Sequence, residues 1–286
     1  MPLEDQGKKG VPPACSSGGS IDVMPDVILE HILGFLPAED AVRTSVLAPR
    51  WRHLWKSATG LRIGCRDRGE AGTGPVKEYR KFLDRLFLLR GGWSLETCKI
   101  RARIGEFFLT HDELRLNNCV RQAILCKVRV LKVYMCPDYS LGLDDLPFVS
   151  QHLTRLELHN LVLTNSSLDF SSCPVLERLE LNGCDYSRFG MLKAAKIISE
   201  SLKRLRIFCC FYNDILTHHS RFHIHTPNLV SLHLDDMMLL PPMLQNMPSL
   251  VEAFIRLAGP QLASAIAASF LTVHTTLTVA IQIPCC

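Results

Sequence analysis

The chain has 286 residues, 47% of them hydrophobic, which is enough to bury the core of one or two globular domains. Its formal net charge of +4, from 32 basic and 28 acidic residues, argues against a nucleic-acid-binding protein, because such proteins carry strongly clustered positive charge. No apolar segment of a secretory signal follows the N-terminal charges, so the 12 cysteines are expected to be mostly free thiols in a protein of the nucleus or cytoplasm.

The first 60 residues predict a disordered lead followed by a helical domain. Residues 1–20 are rich in Gly, Pro, Ser and Lys and hold almost no large apolar side chain, so they are predicted to be disordered. In the stretch IDVMPDVILEHILGFLPAEDAVRTSVLAPRWRHLW, apolar residues recur at helical spacing between prolines, which predicts three short helices. Some 35 residues are too few to bury this many large apolar side chains, so part of the surface is expected to contact another protein or the following domain.

This segment resembles the F-box in its plant form. Its matching features are the start MPD, the centre ILGFLP, the run DAVRTSVL and the pairs RW and LW, in the order and spacing of that motif. The resemblance implies that residues 21–60 dock on a Skp-family adaptor and through it on a cullin. The apolar residues expected to face or support the adaptor are Met24, Pro25, Ile28, Leu29, Ile32, Leu33, Leu36, Val42, Leu47, Trp51, Leu54 and Trp55.

Residues 61–90 predict a linker followed by a helix. The segment CRDRGEAGTGP is rich in glycine and mixed charge, as is typical of a linker. The next segment, VKEYRKFLDRLFLLRGG, places apolar residues close to one helical face and ends at Gly91. We interpret it as an amphipathic helix that covers the start of the next domain. The residues on its apolar face are Val76, Tyr79, Phe82, Leu83, Leu86 and Leu89.

Residues 91–260 contain a repeated pattern, Leu-x-x-Leu-x-Leu, which occurs six times at steps of 21 to 27 residues. This period is typical of leucine-rich repeats, in which each unit is a strand followed by a return segment. Each unit leaves an apolar edge that a neighbour must cover, so the units are expected to stack into a curved solenoid. The fourth positions of the pattern are Leu131, Leu156, Leu179, Leu205, Leu232 and Ala253.

Two cysteines that bracket one repeat, Cys173 and Cys184, are interpreted as packing residues. In five of the repeats, the third residue after the end of the pattern is Cys, Leu or Met. This position therefore needs only a compact apolar side chain, and we call it the filler position. A disulfide or metal site formed by Cys173 and Cys184 is therefore not expected. The residues at the filler position are Cys136, Leu161, Cys184, Cys210 and Met237.

Alternate residues of the predicted strands point into the concavity of the arc. Cations, carboxylates and aromatic side chains mix there, which suits recognition of a protein, although a solvated face without a partner is an equal alternative. The candidate target-binding residues are Lys132, Tyr134, Arg155, Glu157, His159, Arg178, Glu180, Arg204, Arg206, Phe208, His233 and Asp235.

The sequence predicts neither catalysis nor a cofactor or metal site. No nucleotide-binding loop, zinc-protease helix or nucleophile elbow occurs, and no two cysteines have C-x-x-C spacing. The histidines of THHSRFHIHT could bind a transition metal, but His223 and His225 alternate with Phe222 and Ile224, as in a strand whose histidines face water.

Residues 261–286 form an atypical C-terminal tail. The chain has no charged residue from Leu257 onward, and its apolar stretch is long enough to cross a bilayer. His274 and many Ser and Thr residues make insertion unfavourable, so a membrane anchor is not the leading interpretation. The tail leaves open that the chain is a shortened isoform.

Taken along its length, the chain resembles plant F-box/leucine-rich-repeat proteins and their FBD-type relatives. The resemblance implies an α+β or α/β solenoid, with an N-terminal three-helix F-box followed by an irregular leucine-rich-repeat arc. It also implies a non-catalytic substrate-recognition subunit of an SCF-type (cullin-RING) E3 ubiquitin ligase that binds a target protein for ubiquitin-dependent degradation. The alternative is a repeat scaffold outside any ligase, or a shortened isoform that competes for the adaptor.

Overall fold

A group of short N-terminal helices packs against the first strand of a large parallel sheet. The computed structural model describes residues 21–64, 76–102, 112–136, 141–143, 147–164, 168–186, 196–210, 222–237, 242–257 and 278–282. Buried side chains of both parts form one continuous hydrophobic core that extends from Leu29 to Ile255. The predicted disordered residues 1–20 lie outside the described residues, as do His218 and His219.

The N-terminal helices are α1 (Asp26–Leu33), α2 (Ala38–Arg43) and α3 (Leu54–Ser57). Three-residue and four-residue 3-10 turns lie around them at Ile21–Val23, Thr44–Val46 and Pro49–Arg52. Pro25 and Pro37 stand at the cap positions just before α1 and α2. The helices are shorter than the apolar spacing predicts, because Gly34 and Phe35 turn the chain after Leu33 and the third segment divides into a 3-10 turn and α3.

The remaining elements are two longer helices and the strands. Helix α4 (Val76–Arg90) follows the first strand, and α5 (Asp112–Leu125) follows the second. The strands are β1 (Gly60–Ile63), β2 (Thr97–Ala102), β3 (Val130–Met135), β4 (Leu141–Gly142), β5 (Arg155–His159), β6 (Leu161–Val162), β7 (Arg178–Asn182), β8 (Lys196–Ile198), β9 (Arg204–Phe208), β10 (His223–His225), β11 (Ser231–Met237), β12 (Met243–Gln245), β13 (Glu252–Leu257) and β14 (Thr278–Gln282).

Over the described residues, nine strands form one parallel sheet in the order β1-β2-β3-β5-β7-β9-β11-β13-β14. The return segments contribute two smaller parallel sheets, β4-β6 and β12-β10-β8. The six predicted fourth positions, from Leu131 to Ala253, pair with one another in consecutive strands, and all six side chains are buried. The leucine spacing therefore predicts both the stacking order and the register of these strands.

The large sheet extends beyond the six predicted repeats at both ends. Strand β1 begins at the last residue of the segment predicted as helical, continues into the segment predicted as a linker and helix, and pairs Leu61 with Cys98 of β2. Strand β14 lies in the segment predicted as a tail and pairs with β13. The leucine period does not predict β1 and β2, because α4 and α5 lengthen the segments that follow them and because residue 98 of β2 is cysteine rather than leucine.

A left-handed residue ends several strands and explains the filler position. Asn160, Gly183 and Cys209 follow β5, β7 and β9 directly, with φ of 56°, 62° and 45°. The chain turns there, and the next residue (Leu161, Cys184 or Cys210) enters the core. The Sγ atoms of Cys173 and Cys184 each lie 3.3 Å from a backbone carbonyl oxygen, of Phe148 and Leu158 respectively, as buried free thiols.

Two predicted faces differ in detail. The buried side of α4 holds Leu83, Leu86, Phe87 and Arg90, whereas Leu89, which was predicted on that side, is exposed. Strand β10 shows the predicted alternation, with Ile224 buried between two half-buried histidines. In the part of the chain that the structure describes, no helix combines the length and hydropathy that a membrane span needs.

Candidate binding surfaces

The N-terminal helices expose an unusual number of large apolar side chains. Val27, Ile28 and Ile32 are exposed on α1, where Ile28 and Ile32 lie four residues apart and share one side of the helix, and the exposed Met24 stands just before the Pro25 cap. Phe35 and Val46, in the turns after α1 and α2, are 54% and 84% exposed. Exposed apolar surface of this extent typically marks a site of protein contact. We define the N-terminal apolar patch as Ile21, Val23, Met24, Val27, Ile28, Ile32, Phe35, Val46 and Leu47, all exposed.

The structure divides the predicted adaptor-facing residues into three groups by burial. The core group is fully or nearly fully buried: Leu29, Leu33, Trp51, Leu54 and Trp55. Leu36 and Val42 are half-buried and pack against the core. The surface group is Met24, Pro25, Ile28, Ile32 and Leu47.

Sequence reasoning missed five exposed members of the patch: Ile21, Val23, Val27, Phe35 and Val46. A signal was available for Val27, because it lies in the first turn of the predicted helix beside Ile28, which was assigned to the adaptor-facing set. Phe35 gave no such signal, because the sequence does not show that the chain turns at Gly34 and so places Phe35 outside α1.

Polar contacts fix α1 against the segments that follow it. The Arg50 Nε donates to Asp26 Oδ1 at 2.8 Å, and the same guanidinium donates to the Met24 carbonyl. The Ser57 hydroxyl donates to Glu30 Oε1 at 2.7 Å. These bonds join the start and the middle of α1 to the 3-10 turn before α3 and to α3 itself, so the exposed side of α1 has a defined orientation.

Arg90 and a close glycine contact join the helices to the sheet. The Arg90 side chain is 0% exposed and donates to the carbonyls of Trp55, Ala58 and Ser94. It therefore supplies partners to carbonyls at the C-terminal end of α3, where the helix dipole favours a cation. Burial lowers the pKa of this guanidinium. Gly34 and Gly60 approach so closely that a Cβ on either would lie under 3 Å from the other's backbone.

The outward side chains of β2, β3, β5, β7, β9, β11 and β13 form a second surface, the polar sheet face. Their inward neighbours, such as Leu156 and Leu158, are fully buried, as period-two alternation requires. All twelve candidate target-binding residues lie on this face, in three rows set by the register. Arg178, Arg204 and Arg206 are exposed, Glu157 is buried, and the other eight are half-buried.

Glu157, which was predicted to contact a target, is only 3% exposed. Its carboxylate instead contacts neighbouring side chains of the polar sheet face. Its Oε2 accepts a hydrogen bond from the Tyr134 hydroxyl at 2.9 Å and lies 3.0 Å from Lys132 Nζ. Arg155 Nη2 lies 2.5 Å from Oε1, although without hydrogen-bond alignment. Burial alone would raise the pKa of Glu157, but the bonds from Lys132 and Tyr134 and the charges of Lys132 and Arg155 lower it below its ordinary value.

Aromatic stacks stabilise two regions of the polar sheet face. Tyr134 and His159 stack with ring centroids 4.2 Å apart. His233 lies between Phe208 and Phe254, at 5.0 Å and 4.4 Å. Burial lowers the pKa of both imidazoles, more than the neighbouring carboxylates raise it. The rings are therefore neutral near pH 7 and can pack as apolar surface.

The arrangement on both surfaces suits binding rather than chemistry. Within the described ranges, no three His, Cys, Asp or Glu residues are grouped so that they could hold a metal ion. The buried carboxylate of Glu157 is committed to Lys132 and Arg155, so its pKa is shifted away from that of a general base at neutral pH. What remains accessible is an apolar patch, a set of arginines and an aromatic stack.

Comparison with known proteins supports the resemblance drawn from the sequence. Residues 21–60 match the family model of the F-box domain. The Arabidopsis thaliana F-box/LRR-repeat protein At3g59190 is 29% identical, over 84% of this chain and 68% of its own length. The FBD-associated F-box protein At4g10400 is 29% identical, over 82% and 60%, and the F-box/LRR-repeat protein At3g59250 is 30% identical, over 83% and 53%.

The chain spans between about half and two thirds of the length of such relatives. The predicted resemblance to plant F-box and leucine-rich-repeat proteins is confirmed. F-box/LRR proteins are generally non-catalytic adaptor subunits, and the similarity indicates no enzymatic family.

Proposed function

We propose that the chain is the substrate-recognition subunit of an SCF-type E3 ubiquitin ligase. The N-terminal apolar patch docks on a Skp-family adaptor, which connects it to a cullin, and the polar sheet face binds a target protein. The chain contributes to catalysis by proximity, because it raises the concentration of a target lysine near the thioester of a conjugating enzyme. We place this activity in the nucleus or the cytoplasm.

The observation that carries the proposal is the apolar patch within the segment that matches the F-box domain. Its members lie on α1 or in the turns beside α1 and α2, and the inner sides of these two helices belong to the core. A surface fixed in this way loses little conformational freedom on binding, which favours affinity. Buried aromatic and aliphatic anchors commonly dominate such interfaces.

The double substitution Ile28→Asp and Leu47→Asp tests adaptor docking. Both side chains are exposed, at 47% and 68%, so the variant is expected to fold. Two carboxylates in a desolvated interface should weaken adaptor binding by about a hundredfold or more. The measurement is a titration of purified chain with Skp-family adaptor, with circular dichroism as the check of folding.

The matched control is Leu88→Asp and Val251→Asp, which changes two exposed apolar residues outside the patch, at 80% and 59%. It should bind the adaptor as the unmodified chain does. Equal adaptor binding by the patch variant and the control would contradict the proposal.

In cell extracts, a receptor should co-purify with a cullin and its loss should raise the level of a target, whereas a competitor would only displace other receptors from the adaptor.

A further inference from the structure

Three arginines on the polar sheet face have no ionic partner among the described residues. Arg178 and Arg204 are exposed and make no hydrogen bond or ion pair to that part of the chain. Arg206 is also exposed and stacks on the Phe208 ring at 5.1 Å. By contrast, Arg256 makes a bidentate pair with Asp235 at 2.5 and 2.9 Å. We define the arginine strip as Arg178, Arg204 and Arg206.

The sheet register brings like charges side by side in the strip. Arg178 pairs laterally with Arg155 on one side and with Arg204 on the other. Adjacent strands lie about 4.8 Å apart, and like charges directly opposite one another destabilise a sheet. Folding alone therefore gives no reason for this row of arginines, whereas an anionic ligand would.

Nearby carboxylates neutralise the strip only in part. Glu177 is bound by Lys203 Nζ at 2.6 Å, and the charges of Arg178 and Arg204 lower its pKa less than Lys203 does. Glu157 is shared by Lys132 and Arg155. Glu180 lies opposite Arg206 in the register, but no ion pair within 4 Å joins the two among the described residues, and Glu180 Oε1 instead lies 3.9 Å from the imidazole Nε2 of His159. The strip thus keeps a surplus of positive charge beside the aromatic stack of Phe208, His233 and Phe254.

We propose that the arginine strip binds a run of Asp and Glu residues in the target protein, with an apolar residue of the target on the aromatic stack. This inference rests on the proposed function, since it states the chemistry of the target. Arginine suits the role because its planar guanidinium donates two parallel hydrogen bonds to a carboxylate.

The spacing of the cations favours several carboxylates over one compact anion. Together with Arg155, the strip crosses three neighbouring strands, β5, β7 and β9, and spans about 10 Å at the usual strand separation. An extended peptide covers that distance with about three to four residues. A nucleic acid fits less well, because its phosphates are regularly spaced and could not avoid Glu177 and Glu180, whereas a peptide can place neutral residues there.

The test measures binding of a fluorescein-labelled peptide of six glutamates followed by phenylalanine to the purified full chain. At about 0.15 M salt, Arg178→Gln with Arg204→Gln should weaken binding by about tenfold. The conservative pair Arg178→Lys with Arg204→Lys should recover part of the loss, because it restores charge without the guanidinium fork. The control Arg43→Gln with Arg52→Gln removes the same charge from exposed positions in the N-terminal helices and should leave binding unchanged.

Three further probes decide between ligands: the same peptide with glutamines, one with phosphoserines, and a single-stranded oligonucleotide. The proposal requires the glutamate peptide to bind at least about tenfold more tightly than the glutamine peptide, and at least as tightly as the oligonucleotide. It is overturned if the strip variants bind the glutamate peptide normally, or if only the phosphoserine peptide or the oligonucleotide binds. Adaptor binding, titrated separately on the same variants, should not change, so failure of this inference and failure of the proposed function are distinguishable.

Discussion

At the scale of single residues, Glu157 shows how a buried charge can organise a binding surface. Its carboxylate contacts Lys132 and Tyr134 of the neighbouring strand β3 and Arg155 of its own strand β5. The ends of those side chains therefore have fixed positions. Taking the carboxylate out of water is costly, and removing one partner from such a group usually destabilises a protein. Glu157 therefore fixes the positions of its neighbours rather than presenting its own charge at the surface.

Glu157→Gln should lower the free energy of unfolding by about 2 kcal/mol at pH 7, less than a fully buried pair because Lys132 and Arg155 are partly exposed. The pKa of Glu157 is lowered in the folded state, so its stabilising effect is present above the unfolded value of 4.5 and is lost as pH falls through the folded pKa. The difference between variant and unmodified chain should thus shrink below pH 4.5. Urea denaturation at several pH values measures it.

The control for this prediction is Glu180→Gln, a half-buried carboxylate on the same face that has no Lys or Arg partner within 4 Å among the described residues. It should change stability by less than about 1 kcal/mol. A Glu157→Gln effect that stays constant from pH 7 down to pH 3.5 would show that the carboxylate charge does not stabilise the fold.

Burial at single positions is the part of the patch that the sequence could not predict. Leu33 and Ile32 are adjacent and equally apolar, yet Leu33 is 1% exposed and Ile32 is exposed. Which of the two faces inward depends on where α3 and β1 lie, and that is tertiary information. For this reason Leu33→Asp would place a charge in the core and test folding rather than adaptor binding.

At the scale of elements, the leucine period predicts register well and element boundaries poorly. The fourth position of the pattern, which is leucine in all of these repeats but the last, specifies which residues are paired across β3 to β13. A slip of one residue would expose the side chains of the core. The period carries no such signal for β1, where the return segment includes the helix α4. Nor does it reveal that α1 must approach β1 closely enough to require glycine.

Gly34→Ala tests that approach. Gly34 has ordinary helical dihedral angles, φ −62° and ψ −17°, so alanine would be favoured by backbone conformation alone. A Cβ there would lie 2.7 Å from Gly60 N and 2.9 Å from Gly60 Cα. Neither backbone atom can move without displacing β1, and we expect a loss of about 2 kcal/mol in the free energy of unfolding.

Thermal and urea denaturation measure the effect of Gly34→Ala, with two probes. Tryptophan fluorescence reports on the buried Trp51 and Trp55 of the N-terminal segment and on the exposed Trp93 before β2, and far-ultraviolet circular dichroism reports on the helices and the sheet together. Both transitions should shift together because the core is continuous. The control is Gly91→Asn, at a left-handed position with open space, where asparagine is tolerated. Unchanged stability in Gly34→Ala would mean that the helices can separate from β1 freely.

At the scale of the whole molecule, the two candidate surfaces lie at different places along one sheet. The N-terminal apolar patch belongs to the helices that pack on β1, and the arginine strip lies on β7 and β9. Four strand spacings separate β1 from β7, or about 19 Å, which exceeds the Debye length of about 8 Å at physiological salt. Charge at one surface is therefore largely screened from the other.

This separation predicts that the adaptor and an acidic peptide bind at the same time. The dissociation constant of the glutamate peptide should change by less than about twofold when the adaptor is saturating, because neither ligand covers or charges the other's surface. Ile28→Asp with Leu47→Asp should abolish adaptor binding and leave peptide affinity intact, while the arginine-strip variants should do the reverse. Competition of tenfold or more would place both ligands on one surface, and a receptor that must hold its target while bound to the adaptor could not work in that way.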